Sequence, residues 1–180
     1  MPAGDRQAVQ TDRDALLALD EEMLERQCTF TAFRTRGPGG QKRNKTASAA
    51  RLVHEPTGIV SQCNEFRSQA ANRRRALHRL RFKFAAEMRA PIDPRGYEPP
   101  ASFEALKTEG KLTTNTRNPD YARIAAHVLD VLDAAGARLS AAAALLGVPT
   151  SNLARFLAAE PTIQNTAQQI RRKHGITWEG

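Results

Sequence analysis

Cysteine is scarce in this chain of 180 residues: Cys28 and Cys63 stand far apart and form no CxxC pattern. Two such residues specify neither a disulfide framework nor a thiolate metal site, so a reducing compartment is expected. Long apolar runs are also missing. No stretch approaches the roughly 18 apolar residues of a membrane span. The opening MPAGDRQAVQTDRD is polar and has no signal-like core, so a cytoplasmic protein without a membrane partner is expected. His54, His78, His127 and His174 lack ligand spacing, and no metal or cofactor is expected. The third shortage is local. Residues 34–89 contain 3 acids against 14 Lys and Arg, a balance of +11, whereas residues 1–29 balance at −4 and residues 90–180 at +1. The basic excess of a chain with net charge +8 therefore sits on one segment, which is an electrostatic footprint for a polyanion such as nucleic acid.

Two regions emerge from the periodicity. Thr11 is placed to cap a helix running from Asp12 to about Gln27, with Leu16, Leu19, Met23 and Leu24 on one face. TFTAFR (29–34) alternates as a strand does, and ARLVH (50–54) and GIVSQC (58–63) flank Glu55-Pro56-Thr57 as a β-hairpin. Ser68 caps a long basic helix to about Arg89. Ala76, Leu77, Leu80, Phe84 and Met88 form its buried face, with Arg73, Arg74, Arg75, Arg79 and Arg81 left largely outside. The expected fold is α+β: a small sheet and a long packing helix over 11–89, a proline-rich linker over 90–117, and a small all-helical domain over 118–180. In that last region Asn118 and Pro119 open a helix whose buried stripe is Tyr121, Ile124, Val128, Leu129 and Leu132. Ser140 starts another helix, ending at Gly147. Thr150 or Ser151 caps a third, and Pro161 opens a fourth.

The densest motif is RGPGGQKRNKT, residues 36–46. From Gly39 it is one residue short of a phosphate-binding G-x-x-x-x-G-K-[ST], with Asn44 where the second glycine belongs. Such a loop must feed a helix N-terminus, but strand-like residues follow it here. The other reading fits better. Glycines let a backbone enter a narrow channel and adopt otherwise strained torsions. The next residue, Gln41, can then aim its backbone N–H at an oxyanion or departing alkoxide, while its amide side chain has no pKa suited to a general base. Water would be the nucleophile, positioned rather than deprotonated by the protein. Arg36, Lys42, Arg43 and Lys45 suit a substrate held by its phosphates. Asn44, Ser48, His54 and Thr57 are of the types that shape turns and hairpins through local backbone bonds.

The series R-G-P-G-G-Q-x-x-N-K-T-x-S-A-x-R-L-x-H-x-P-T-G-I-V, followed by S-Q-x-x-N-R, resembles the GGQ domain of class-I peptide chain release factors over roughly residues 29–89. The resemblance implies hydrolysis of the ester joining a nascent peptide to its tRNA. Gly39, Gly40 and Gln41 would enter the peptidyl-transferase centre as catalytic residues, and Gln41 would be open to side-chain N-methylation by a glutamine methyltransferase. Implied partners are the ribosome, through large-subunit rRNA, and peptidyl-tRNA. Arg43 departs from the apolar residue common at its position in the family. The candidate RNA-contacting residues are Arg36, Lys42, Arg43, Asn44, Lys45, Arg51, Arg67, Ser68, Gln69, Asn72, Arg73, Arg74, Arg75 and Arg79.

Only about 29 residues, acidic and helix-like, precede the first strand, so a codon-independent rescue hydrolase is expected rather than a stop-codon reader. The tail 143–157 has the turn glycine and apolar spacing of a helix-turn-helix and resembles the C-terminal helical region of some bacterial release-factor-like proteins. Its second helix offers few side chains for base edges beyond Ser151, Asn152 and Arg155, so specific DNA binding is not expected. The alternatives are an RNA-binding module without hydrolase chemistry and a DNA-binding regulator acting through the tail.

Overall fold

The computed structural model describes residues 12–34, 47–113 and 115–176, and the chain divides into two compact units, Met1–Leu80 and Arg81–Gly180. In the first, two short helices, α1 (Arg13–Ala18) and α2 (Glu21–Arg26), precede a three-stranded antiparallel sheet of β1 (Cys28–Phe33), β2 (Ala49–His54) and β3 (Val60–Cys63). Helix α3 (Gln69–Glu87) follows, and the division between the units falls within it.

The sequence pattern suggested one helix where α1 and α2 stand. Leu19 is extended, and the Asp20 carboxylate accepts a 2.7 Å bond from the Met23 amide, so a new helix starts there. Thr11 lies outside the described residues, and α1 is capped by Asp12, which accepts from the Asp14 amide at 3.0 Å. Leu16 and Leu24 are buried as the periodicity requires, but the break turns Met23 outward, to 45% exposure.

The sheet alternates cleanly. Leu52 and Ser61 are buried in register with half-buried Phe30, and Ala50 and Cys63 are buried beside Ala32, whereas the outward row is Thr31, Arg51 and Gln62. Ala76, Leu77 and Leu80 of α3 are buried in the same unit. Arg81, expected outside, is only 8% exposed, because α3 is buried on several sides where Leu80, Arg81, Phe82, Phe84 and Ala85 follow one another.

The β2–β3 turn is fixed by His54, whose ring is fully buried. Its Nδ1 lies 2.8 Å from Thr57 Oγ1 and its Nε2 lies 3.0 Å from Gln27 Oε1. The Ile59 amide donates to Thr57 Oγ1 at 3.3 Å. Burial lowers the His54 pKa against a smaller opposing pull from Glu55, which favours the neutral ring. In that form Thr57 donates its hydroxyl to Nδ1, and Nε2–H donates to Gln27.

In the second unit, residues 90–117 were read as a linker but carry ordered structure: α4 (Ala101–Glu104) and a two-stranded hairpin, β4 (Lys107–Thr108) with β5 (Lys111–Leu112). Phe103 and Leu112 are buried, too thinly spread among prolines and polar residues to show a period. Four helices follow: α5 (Asp120–Ala134), α6 (Leu139–Leu146), α7 (Thr150–Ala158) and α8 (Pro161–Lys173). All five residues of the expected α5 stripe are buried. Tyr121 sits at the centre, packing edge-on to Phe82, lying 4.6 Å from the Phe156 ring centroid, and donating its hydroxyl to the Phe156 carbonyl at 2.7 Å. Gly147 ends α6 with φ +63°, a left-handed turn that glycine adopts at little cost. Extended Pro149, rather than a Thr150 or Ser151 side chain, leads into α7.

Charging His54 would take the Nδ1 acceptor away from Thr57. Because its folded pKa is depressed, its contribution to stability is complete above pH 6.5 and is lost as pH falls below that value. The stability advantage of wild type over His54→Gln, measured by urea unfolding, should therefore shrink below pH 6.5, by up to about 1.4 kcal/mol per pH unit. A difference independent of pH would contradict the neutral-histidine network.

Candidate functional site

Residues 35–46, which hold Gly39, Gly40, Gln41 and the expected RNA contacts Arg36, Lys42, Arg43, Asn44 and Lys45, lie outside the described residues. Both ends of the segment are defined. Phe33, the last residue of β1, pairs with Ala49, the first of β2, so the chain leaves and re-enters the sheet at one paired position.

The returning end is held by the first turn of α3. Gln69 Nε2 donates to the Ala47 carbonyl at 3.1 Å, and Asn72 Nδ2 donates to the Ser48 carbonyl at 2.8 Å. Residues three apart share a helix face, so Gln69 and Asn72 act on successive carbonyls of one strand entry. Asn72 does more. Its Nδ2 also donates to the Phe66 carbonyl at 2.7 Å, and its Oδ1 accepts from the Phe66 amide at 2.9 Å and the Cys63 thiol at 3.3 Å. With 0% exposure and both amide protons committed, Asn72 serves the fold and offers nothing to a ligand. Ser68 caps the helix by accepting from the Ala71 amide at 3.3 Å. Of the S-Q-x-x-N residues, read as RNA contacts, Asn72 turns wholly inward, while Ser68 and Gln69 are exposed and bond nearby backbone.

The arginines fall into two groups. Arg73 pairs with Glu25 at 2.5 Å and stacks 4.8 Å from the Phe30 ring centroid. Arg79 bonds Glu65 and donates to the Gln62 carbonyl at 3.1 Å, while Arg75 lies 3.7 Å from the same carboxylate. These three tie α3 to its own unit. Arg51, Arg67 and Arg74 are exposed and, like Arg34, form no ion pair among the described residues.

Neither cysteine is poised to react. Burial, helped by Glu25 and Glu55, pushes the Cys28 thiol up to about 11, and Cys63 is buried as a donor to Asn72. Cys63 faces Ala50 in the strand register, away from His54, so the two make no nucleophile–base pair. Among the described residues no group of three or more His, Cys, Asp or Glu could hold a metal, and no helix is long and apolar enough to cross a membrane. Gln27, the second partner of His54, carried no signal in the sequence, since a lone glutamine before a strand is unremarkable.

In the second unit, Asn152 of α7 is also committed. Its Oδ1 accepts from the Leu112 amide at 2.8 Å and its Nδ2 donates to the Leu112 carbonyl at 3.1 Å, as a neighbouring strand would. One of the few side chains suited to a base edge therefore pins the β4–β5 hairpin instead.

The RF-1 domain family matches residues 18–118, more than half of the chain. The chain belongs to this family, that of class-I peptide chain release factors. It is 51% identical over 65 residues to peptide chain release factor 1 of Caldicellulosiruptor bescii, covering 36% of this chain and 18% of that protein. It is 40% identical over 89 residues to peptide chain release factor 2 of Streptomyces avermitilis (49% and 22%), and 53% identical over 58 residues to peptide chain release factor 2 of Neisseria meningitidis (32% and 16%). These matches span less than a quarter of each relative. No solved structure matches the chain.

Replacing Asn72 by alanine leaves the Phe66 amide and the Ser48 and Phe66 carbonyls without their partner. Unfolding of Asn72→Ala should show a loss of about 2–3 kcal/mol, and an effect below about 0.5 kcal/mol would mean that water satisfies these groups.

Proposed function

We propose that this protein hydrolyses the ester of peptidyl-tRNA in the peptidyl-transferase centre of the ribosome, without reading a codon, and so frees stalled translation. What carries the reading is that the glycine motif and the S-Q-x-x-N motif both lie within the stretch the family matches, and that the second motif holds the return end of the segment bearing the first. In the reaction, water adds to the ester carbonyl, the bond from the acyl carbon to the 3′-oxygen of the terminal adenosine breaks, and that oxygen leaves with a proton as a hydroxyl. The backbone N–H of Gln41 donates to the negative charge that develops, and the Gln41 side chain shapes the site so that water enters in preference to other nucleophiles. Gln41 is the residue a glutamine methyltransferase would modify.

Arg51, Arg67 and Arg74, with the cations of the glycine segment, bind phosphates of rRNA and tRNA. Beyond the family match the chain continues as the helical unit α5 to α8. A DNA-reading role for that unit is disfavoured by the commitment of Asn152 to Leu112.

Release of labelled peptide from ribosomes stalled on a message without a stop codon tests both parts. Wild type should release peptide equally well with or without a stop codon in the A site. Gly40→Ala should bind the ribosome as wild type does but release peptide at least about 100-fold more slowly. Release that requires a stop codon would refute codon independence, and a Gly40→Ala protein as fast as wild type would refute the chemistry.

A further inference from the structure

Among the described residues one aromatic side chain is classed as exposed: Phe66, at 46%. A solitary exposed apolar residue is ordinary on a protein surface. The backbone behind this one is not. Its N–H donates to Asn72 Oδ1 at 2.9 Å and its carbonyl accepts from Asn72 Nδ2 at 2.7 Å, so one fully buried side chain clamps both polar atoms of the residue. The main chain is thereby fixed while the ring stays in water.

The charges around it favour a polyanion. Glu65, the acid next to Phe66, is engaged by Arg75 and Arg79, which removes the repulsion it would exert on a phosphate. Arg67, the next residue in sequence, is exposed and forms no ion pair among the described residues. An exposed aromatic side chain on a fixed backbone, next in sequence to an exposed arginine, suits an unstacked base, the ring taking the base face and the cation a neighbouring phosphate.

We propose that Phe66 is a stacking platform for an unpaired RNA base, with Arg67 on the adjacent phosphate. That the RNA belongs to the large ribosomal subunit rests on the function proposed above; the stacking itself rests on the clamped residue and its charges.

The test uses the full chain and vacant large subunits, with dissociation constants measured over a range of salt. Phe66→Leu should weaken binding on the order of 10-fold, the scale of one base–aromatic stack, and Phe66→Trp should bind at least as tightly as wild type. The salt slope should be unchanged in Phe66→Leu and reduced by about one in Arg67→Ala, which separates stacking from phosphate contact. Thermal unfolding of the Phe66 variants should match wild type, since the clamp acts on the backbone. Equal affinity of Phe66→Leu and wild type would overturn the proposal, as would a Phe66→Trp protein as weak as Phe66→Leu. Ultraviolet crosslinking from position 66 should yield an RNA adduct, and an adduct to a ribosomal protein would also overturn it. Peptide release measured in parallel keeps the two readings apart. If wild type releases peptide but Phe66→Leu binds normally, the platform alone fails; if the affinities follow the predicted series but wild type releases nothing, the hydrolase reading alone fails.

Discussion

The first unit depends on one buried amide. Asn72 satisfies four polar groups from three separate stretches of chain: Ser48 at the entry to β2, Cys63 at the end of β3, and both backbone atoms of Phe66. No apolar side chain could replace it, because the groups it pairs would then be buried without partners. Asparagine suits the position better than aspartate, since two donors must face carbonyls while one oxygen accepts. The end of the sheet, the start of α3 and the return of the glycine-bearing segment are thus tied at a single residue.

That knot links fold to chemistry. The hydrolysis proposed for Gln41 would require its segment to be held at its ends, because small misplacements of a reacting group are costly in rate. The Phe33–Ala49 pair fixes where the segment leaves and re-enters, and Gln69 and Asn72 fix the carbonyls of its returning end. Charge is divided in the same economical way. Arg73, Arg75 and Arg79 secure α3 through Glu25 and Glu65, whereas Arg51, Arg67 and Arg74 are exposed and form no ion pair among the described residues.

Much of this was legible in the sequence, for identifiable reasons. The hairpin announced itself by alternation around Glu55-Pro56-Thr57, and α3 and α5 by apolar positions at helical spacing that the structure buries. The misreadings share a cause. At Asp20 a side chain competed with the helix for backbone donors, which periodicity does not register. Over 101–112 the buried residues Phe103 and Leu112 stand in a mostly polar segment that follows a proline-rich stretch, and show no period. Within S-Q-x-x-N, Asn72 stands beside a basic run and read as a ligand contact, although its side chain turns wholly inward. Composition records that a side chain can form hydrogen bonds; only the packed chain records with what.

The proposed chemistry requires the first turn of α3 to position the glycine segment. Gln69 separates the possibilities best, because it is exposed and its loss should leave the fold intact. The measurement is peptide release by Gln69→Met, with kcat and KM determined separately and thermal unfolding as a control. A positioning role predicts kcat lowered on the order of 10-fold, with KM and unfolding unchanged. A raised KM with unchanged kcat would make Gln69 an RNA contact after all and contradict the central claim.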